Sequence, residues 1–167
     1  MLSSEQAASI YRSVGDTVRI NHISRAFCLR FGSQVEKMKP MHEHILVVDD
    51  EAPTRELLSI YLKRRGCTVS TANTGADALR LVSELPVQLV ILDINLGEKA
   101  SGLDLLEPMK KSRPNVPVIL FSGIGLDEKT LQEARQKGAS GYLNKTQPLD
   151  QMWAEVQRAL QGSAARL

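Results

Sequence analysis

Polar side chains able to do chemistry follow short apolar segments along this sequence. They are Asp49, Asp50, Glu51, Asp93, Ser122 and Lys145. Parallel strands place their carboxyl ends at one edge of a sheet, and ligands bind beyond that edge. If the apolar segments are such strands, carboxylates, one hydroxyl and one ammonium meet there, from parts of the chain about a hundred residues apart.

Carboxylates packed at one edge repel one another unless a cation lies between them. Oxygen ligands alone suit a hard divalent cation such as Mg²⁺, with Mn²⁺ as an alternative. We therefore predict a metal site in which Asp50 and Asp93 bind directly and Asp49 helps through water.

The central carboxylate, Asp93, is the predicted nucleophile, because aspartyl phosphate is a known covalent intermediate. A transferring phosphoryl group spreads its charge over three oxygens. The metal would neutralise one oxygen, the Ser122 hydroxyl would donate to a second, and the Lys145 ammonium would pair with the third.

Five strands and five helices are predicted to position these residues. Continuous apolar runs are typical of strands covered on both faces. The predicted strands are Ile45–Val48, Thr68–Ala72, Val87–Leu92, Val116–Phe121 and Gly141–Asn144. The alternation of strands and helices predicts an α/β protein with a mainly parallel sheet between two helical layers.

Helical periodicity and capping residues predict the intervening helices. The helices are predicted over Pro53–Arg65, from a cap at Thr74, from a cap at Ser101, over Asp127–Lys137 and over Pro148–Leu160. Pro108 falls inside the third helix, where a proline removes a hydrogen bond. We therefore expect that helix to kink or to be short.

The ordered motifs resemble the response-regulator receiver domains of two-component signalling. They are Val47–Glu51, Leu92–Leu96, Phe121–Gly123 and Gly141–Lys145, with Ala72–Leu79 at the second helix. The resemblance covers about residues 45–161. It implies a flavodoxin-like (βα)5 sandwich with sheet order 2-1-3-4-5, and a metal contact from the Asn95 backbone carbonyl. It also implies a switch in which Ser122 moves toward the phosphoryl group and Tyr142 turns inward.

Four positions depart from the usual pattern of that family. Gly97 stands where many relatives have proline, and the segment from Asp93 to Gly102 is one residue longer than the commonest spacing. Thr146 replaces a proline after the lysine, and Ser122 replaces the commoner threonine. A serine hydroxyl preserves the donor.

Composition narrows the class of protein. The net charge of +2 over 167 residues is too small to predict a nucleic-acid or membrane surface. No apolar run approaches the roughly 20 residues that a membrane span needs. Two cysteines, Cys28 and Cys67, provide no disulfide framework, so we expect a reduced, cytoplasmic protein.

The predicted organisation is an N-terminal extension over 1–44, a receiver domain over 45–162 and a short tail over 163–167. We favour a weakly ordered or loosely helical extension. A partner-docking or membrane-surface helix is one alternative, since residues 17–35 contain basic residues but no acids. His22 as a phosphodonor is another, and Met41 as the true start is a third.

These expectations combine into a single-domain response regulator phosphorylated by a sensor histidine kinase or a histidine phosphotransfer protein. A surface over about 127–162 would then bind an unidentified target protein, with a homodimer left open. The alternatives are a phosphorelay intermediate or phosphate sink, and an aspartyl phosphatase. A phosphatase needs a second acid two residues after the nucleophile, where this chain has Asn95, so we predict that the protein assists only its own phosphorylation and dephosphorylation and is not an enzyme.

Overall fold

The computed structural model describes residues 43–97 and 101–164, with side chains up to 162. Most of the predicted N-terminal extension lies outside these residues, as do the alternatives for His22 and Met41. So does the middle of the loop that follows Asp93.

The sheet has the predicted five strands, all parallel, in the order β2-β1-β3-β4-β5. The strands are β1 His44–Val48, β2 Thr68–Ala72, β3 Leu89–Asp93, β4 Val118–Ser122 and β5 Gly141–Asn144. The predicted fold and strand order are therefore confirmed. Every residue of β3 and β4 is buried, which explains why these two strands gave the longest apolar runs.

A helix follows each strand. The helices are α1 Ala52–Lys63, α2 Gly75–Glu84, α3 Gly102–Ser112, α4 Glu128–Gln136 and α5 Leu149–Ala164. The Thr74 and Asp127 side chains cap α2 and α4 by accepting the backbone N–H three residues on. Ser101 caps α3 through the N–H of Leu103.

The core has two halves, one on each face of the sheet. Leu46 and Val48 of β1 belong to the cluster that includes residues of α2, α3 and α4, whereas Ile45 and Val47 belong to the cluster that includes residues of α1 and α5. Alternate residues of a strand point to opposite faces, so one strand supplies both halves. This packing fixes the central strands, and with them the residues at their carboxyl ends.

Pro108 occupies the seventh position of the 11 residues of α3. The helix therefore has an ordinary length, and the proline does not shorten it. The missing N–H of Pro108 would have reached the carbonyl of Asp104. Leu105, Leu106 and Met109 are nevertheless buried, so tertiary packing holds the helix across the proline.

Among the described residues, no helix is both long enough and apolar enough to cross a membrane.

Candidate functional site

The predicted site residues lie together at the carboxyl edge of the sheet. Asp49 directly follows β1, Asp93 ends β3, and Lys145 directly follows β5. Backbone bonds fix their positions: the Asp49 N–H donates to the Ala72 carbonyl at 3.2 Å, and the Lys145 N–H donates to the Ser122 carbonyl at 2.8 Å. The sheet register thus brings together residues from distant parts of the chain.

Lys145 is the electrostatic centre of this edge. Its Nζ lies 2.8 Å from Asp49 Oδ2, 2.9 Å from Asp93 Oδ2 and 3.3 Å from Glu51 Oε2. The Asp49 and Asp93 side chains are 1% and 2% exposed, whereas that of Glu51 is 61% exposed. The ammonium also lies 5.7 Å from the centre of the Phe121 ring, within the range of a cation–π contact.

Burial and charge shift the ionisation of this group of residues in defined directions. Burial is the largest influence on Asp93 and raises its pKa, although hydrogen bonds from Lys145 and the Asn95 N–H oppose the shift. Burial alone would lower the pKa of Lys145, but the adjacent Asp49 and Asp93 carboxylates outweigh it and raise that pKa. Lys145 therefore remains an ammonium at neutral pH.

Asp49, Asp50 and Asp93 provide a donor set that fits a divalent cation. Each offers one carboxylate oxygen, and the three oxygens lie within 4.8 Å of one another. Asp49 Oδ2 is buried and, despite its ion pair with Lys145, has no well-aligned hydrogen-bond donor. A set made only of oxygen ligands suits Mg²⁺ or Mn²⁺, as the sequence predicted.

Arg55 of α1 holds the acidic turn in place. Its Nη1 donates to the backbone carbonyls of Asp49 at 2.7 Å and Asp50 at 2.8 Å. The Glu51 N–H donates to Asp49 Oδ1 at 2.8 Å. Sequence reasoning missed Arg55, because a bond from a side chain to backbone carbonyls has no signature in the pattern of residue types.

Asn95 lies beside the predicted phosphoacceptor. Its backbone N–H donates to Asp93 Oδ1 at 3.2 Å, and it forms an antiparallel bridge with Ser101. The predicted metal contact of the Asn95 carbonyl stays a prediction. Gly102 closes this segment: its N–H donates to the Ile94 carbonyl at 2.8 Å, and a methyl group on Gly102 would lie 2.1 Å from the Asp93 carbonyl oxygen.

The Ser122 hydroxyl bonds within its own loop rather than to a carboxylate. It donates to the Ile124 carbonyl at 2.9 Å and accepts from the Ile124 N–H at 3.3 Å. The Tyr142 hydroxyl donates to the same carbonyl at 3.1 Å. The two predicted switch residues therefore share one acceptor, which the sequence did not predict.

An open cavity of about 480 Å³ faces these groups. Its lining residues are Asp50, Glu51, Asp93, Asn95, Gly97, Gly123 and Lys145. The positive φ of 74° at Gly97 suits the glycine found where a proline is common in the resembling family. The cavity gives a small anionic group access to Asp93 and Lys145.

The sequence is similar to a known family of protein domains. The response regulator receiver domain profile matches residues 45–157. An NtrX-like response regulator of Rickettsia felis is 40% identical over 116 residues, which cover 69% of this chain and 24% of that protein. The chain therefore spans about a quarter of the length of this curated relative.

Solved structures of response regulators are also similar to this chain. NtrX from Brucella abortus, crystallised with ATP, aligns with a TM-score of 0.70 and 35% identity, over 75% of this chain and 28% of that one. A response regulator protein from Burkholderia pseudomallei aligns with a TM-score of 0.65 and 27% identity, over 74% of this chain and 72% of that one. The latter structure contains a phosphorylated aspartic acid and a calcium ion.

Proposed function

The chain belongs to the response regulator receiver domain family, and from that premise we propose that it accepts a phosphoryl group on Asp93 in a Mg²⁺- or Mn²⁺-dependent reaction. The phosphodonor is a sensor histidine kinase or a histidine phosphotransfer protein. The observation that carries this proposal is the buried Asp93 carboxylate, 2.9 Å from the Lys145 ammonium and beside two further carboxylates. The phosphorylated aspartic acid in the Burkholderia pseudomallei relative supports it.

The residues at the carboxyl edge of the sheet each take a part in phosphoryl transfer. A carboxylate oxygen of Asp93 forms the new P–O bond while the P–N bond to the donor imidazole breaks, and the imidazole leaves with that electron pair. Asp49, Asp50 and Asp93 would hold a divalent cation, which would supply neutralising charge to the phosphoryl oxygens. Lys145 pairs with a second oxygen, and the Ser122 hydroxyl turns from Ile124 to donate to a third.

The phosphoryl group then alters the surface formed by residues of α4, β5 and α5, at about 127–162. We propose a target protein that binds this surface in a phosphorylation-dependent manner. The shared Ile124 carbonyl supports that route, because it connects Ser122 at the site to Tyr142 on β5. Phosphorylation biases an existing equilibrium between two states, and the target binds one of them more tightly.

The role of the whole protein in signalling is also a proposal. The NtrX-like relative is about four times longer than the matched region, so a response regulator of this family is not always a single domain. We propose a stand-alone signalling role, in which the receiver domain itself contacts the target. We also propose that it is not an enzyme, because Asn95 occupies the position of the second acid of an aspartyl phosphatase.

Intact-mass analysis tests the phosphoacceptor. The full chain is incubated with acetyl phosphate, with Mg²⁺ or with EDTA, as wild type, Asp93→Asn and Asp104→Asn. Asp104 is the matched control, since its side chain lies on α3 and is 72% exposed. We expect one added phosphoryl group in the wild type and in Asp104→Asn, only with Mg²⁺, and none in Asp93→Asn. Phosphorylation of Asp93→Asn to the wild-type extent would contradict the proposal.

The lifetime of the phosphoryl group separates the signalling role from the alternative of a phosphorelay intermediate or phosphate sink. A switch that must find a target retains the group for longer than one that passes it on. Rapid back-transfer to a phosphotransfer protein would favour the relay.

Steady release of phosphate from a metabolite over many turnovers would contradict the proposal that the protein is not an enzyme.

A further inference from the structure

Glu51 is a third carboxylate on Lys145, and neither the metal site nor the phosphoryl chemistry assigns it a role. Its Oε2 lies 3.3 Å from Lys145 Nζ and accepts a hydrogen bond from the Thr54 hydroxyl at 3.0 Å. Glu51 is thus a carboxylate paired with an ammonium, and the hydrogen bond from Thr54 of α1 holds it in that position.

The number of donors on Lys145 makes this contact consequential. An ammonium has three N–H donors, and three carboxylate oxygens lie within 3.3 Å of this one. A phosphoryl oxygen that pairs with Lys145 therefore competes with these three oxygens for the ammonium. Glu51 has the longest contact and a side chain that is 61% exposed, so water can solvate it after release. Asp49 and Asp93 are 0% and 1% exposed, so water would solvate them far less well.

We infer that Glu51 is a displaceable counter-ion of Lys145, a positioning residue that holds the ammonium while Asp93 is unmodified and releases it to the phosphoryl group. This inference rests on the proposed function and goes beyond it by naming a residue that regulates the reactivity of the site. Glu51 acts through Lys145 and does not itself contact the reacting atoms.

The charge of Glu51 also acts on the donor. Glu51, Asp50 and Asp93 line the cavity together with a single lysine, Lys145. An incoming donor with two negative charges meets this excess of negative charge before it reaches Asp93. Removing the charge of Glu51 both frees Lys145 and weakens the repulsion, so the two effects accelerate phosphorylation together.

The rate of phosphorylation by small donors measures this role. With acetyl phosphate, Asp93 forms a P–O bond, the bond between phosphorus and the acetyl oxygen breaks, and acetate leaves with the electron pair. Glu51 Oε2 and Asp93 Oδ2 lie 3.3 Å and 2.9 Å from the same Nζ, so they are at most about 6 Å apart. At that separation in a mostly aqueous setting, removing one charge should let Glu51→Gln react with a dianionic donor about tenfold faster than wild type at low salt. Phosphoramidate carries less negative charge, so its rate should rise less.

Three full-length variants are compared by quenched intact-mass time courses with Mg²⁺. Glu51→Gln removes the charge, and Glu51→Asp keeps the charge and should remain close to the wild-type rate. Glu56→Gln, an exposed residue of α1 outside the cavity, changes the net charge equally and should leave the rate unchanged. Thermal denaturation of each variant confirms that it is folded.

Ionic strength distinguishes an electrostatic role from a structural one. The ratio of the Glu51→Gln rate to the wild-type rate should fall toward one near 1 M salt, where charges are screened beyond about 3 Å. A ratio of one at low salt, a slower Glu51→Gln, or a ratio independent of salt would each overturn the inference while leaving phosphorylation of Asp93 intact. Wild-type protein that accepts no phosphoryl group from either donor would overturn both the proposed function and the inference.

Discussion

Gly102 leaves no room for a side chain against the backbone of Asp93, which predicts a large effect of a single methyl group. In Gly102→Ala the new Cβ would lie 2.1 Å from the Asp93 carbonyl oxygen and 3.0 Å from its carbonyl carbon. Carbon–oxygen contacts lie at about 3.3 Å or beyond, so the two segments must separate by about 1 Å. The obstacle is backbone, so a change of rotamer cannot relieve it.

The expected losses of stability and of reaction rate follow from that displacement. Forcing one extra carbon into a packed position costs about 1–3 kcal/mol, and a contact with backbone falls at the upper end. For a domain of this size we expect the melting temperature to fall by about 10 °C. A 1 Å misplacement of a reacting group costs about a hundredfold in rate, so phosphorylation by acetyl phosphate should slow by that order.

Two other glycines provide matched controls, measured by thermal denaturation and by quenched intact mass. A methyl group on Gly162 meets nothing within 4 Å, so Gly162→Ala should retain both stability and rate. A methyl group on Gly75 meets only the Leu105 side chain, at 2.9 Å, so Gly75→Ala should lose some stability but phosphorylate normally. If Gly102→Ala melts and reacts like Gly162→Ala, the reasoning is refuted.

Three further predictions concern the metal, the ionisation of a tyrosine and the lifetime of the phosphoryl group. Mg²⁺ should raise the melting temperature of wild type in thermal scans but not that of Asp50→Asn, because only a bound cation stabilises the native state; equal shifts would contradict the assigned ligands. Burial and then a hydrogen bond to Asp150 raise the pKa of Tyr61 to about 12, so its stabilisation is complete below pH 10 and declines as the pH rises toward 12. An absorbance titration should lose its highest phenolate step in Tyr61→Phe, and an unchanged curve would refute the assignment. Asn95→Ala and Ile124→Ala should each change the phosphoryl lifetime with little change in melting temperature, and unchanged lifetimes in both variants would refute a role in water access.

The positions of the strand ends could be predicted from the sequence because the central strands are buried on both faces. Such strands are continuous apolar runs, and the first polar residue after each run marks the edge where ligands bind. Asp49 and Asp93 were found in this way, whereas Lys145 follows the weaker pattern of the edge strand β5. The structure brings all three within hydrogen-bonding distance. The strand order came from the resemblance to the family, since apolar periodicity does not order strands within a sheet.

Contacts between distant surface residues could not be predicted in the same way. Arg65 near the end of α1 pairs with Asp150 of α5 at 2.7 Å and stacks 3.7 Å over the Tyr61 ring. Tyr61 donates to the same carboxylate at 2.9 Å across 89 residues of sequence. None of these residues belongs to a motif, and each would pass for an ordinary exposed side chain until the fold places the two helices side by side.

Backbone acceptors escape sequence reasoning for a different reason: every residue has one, so residue type does not distinguish them. The Ile124 carbonyl is the case that matters most, because Ser122 and Tyr142 both donate to it. If the Ser122 hydroxyl turns to a phosphoryl oxygen, that carbonyl retains only the tyrosine, and the loop leading to α4 is held from β5 rather than from β4. The Ile124 side chain is 73% exposed, so little packing opposes such a movement. In the proposed switch, Ile124 thus links the phosphoacceptor edge to the target surface through its backbone carbonyl.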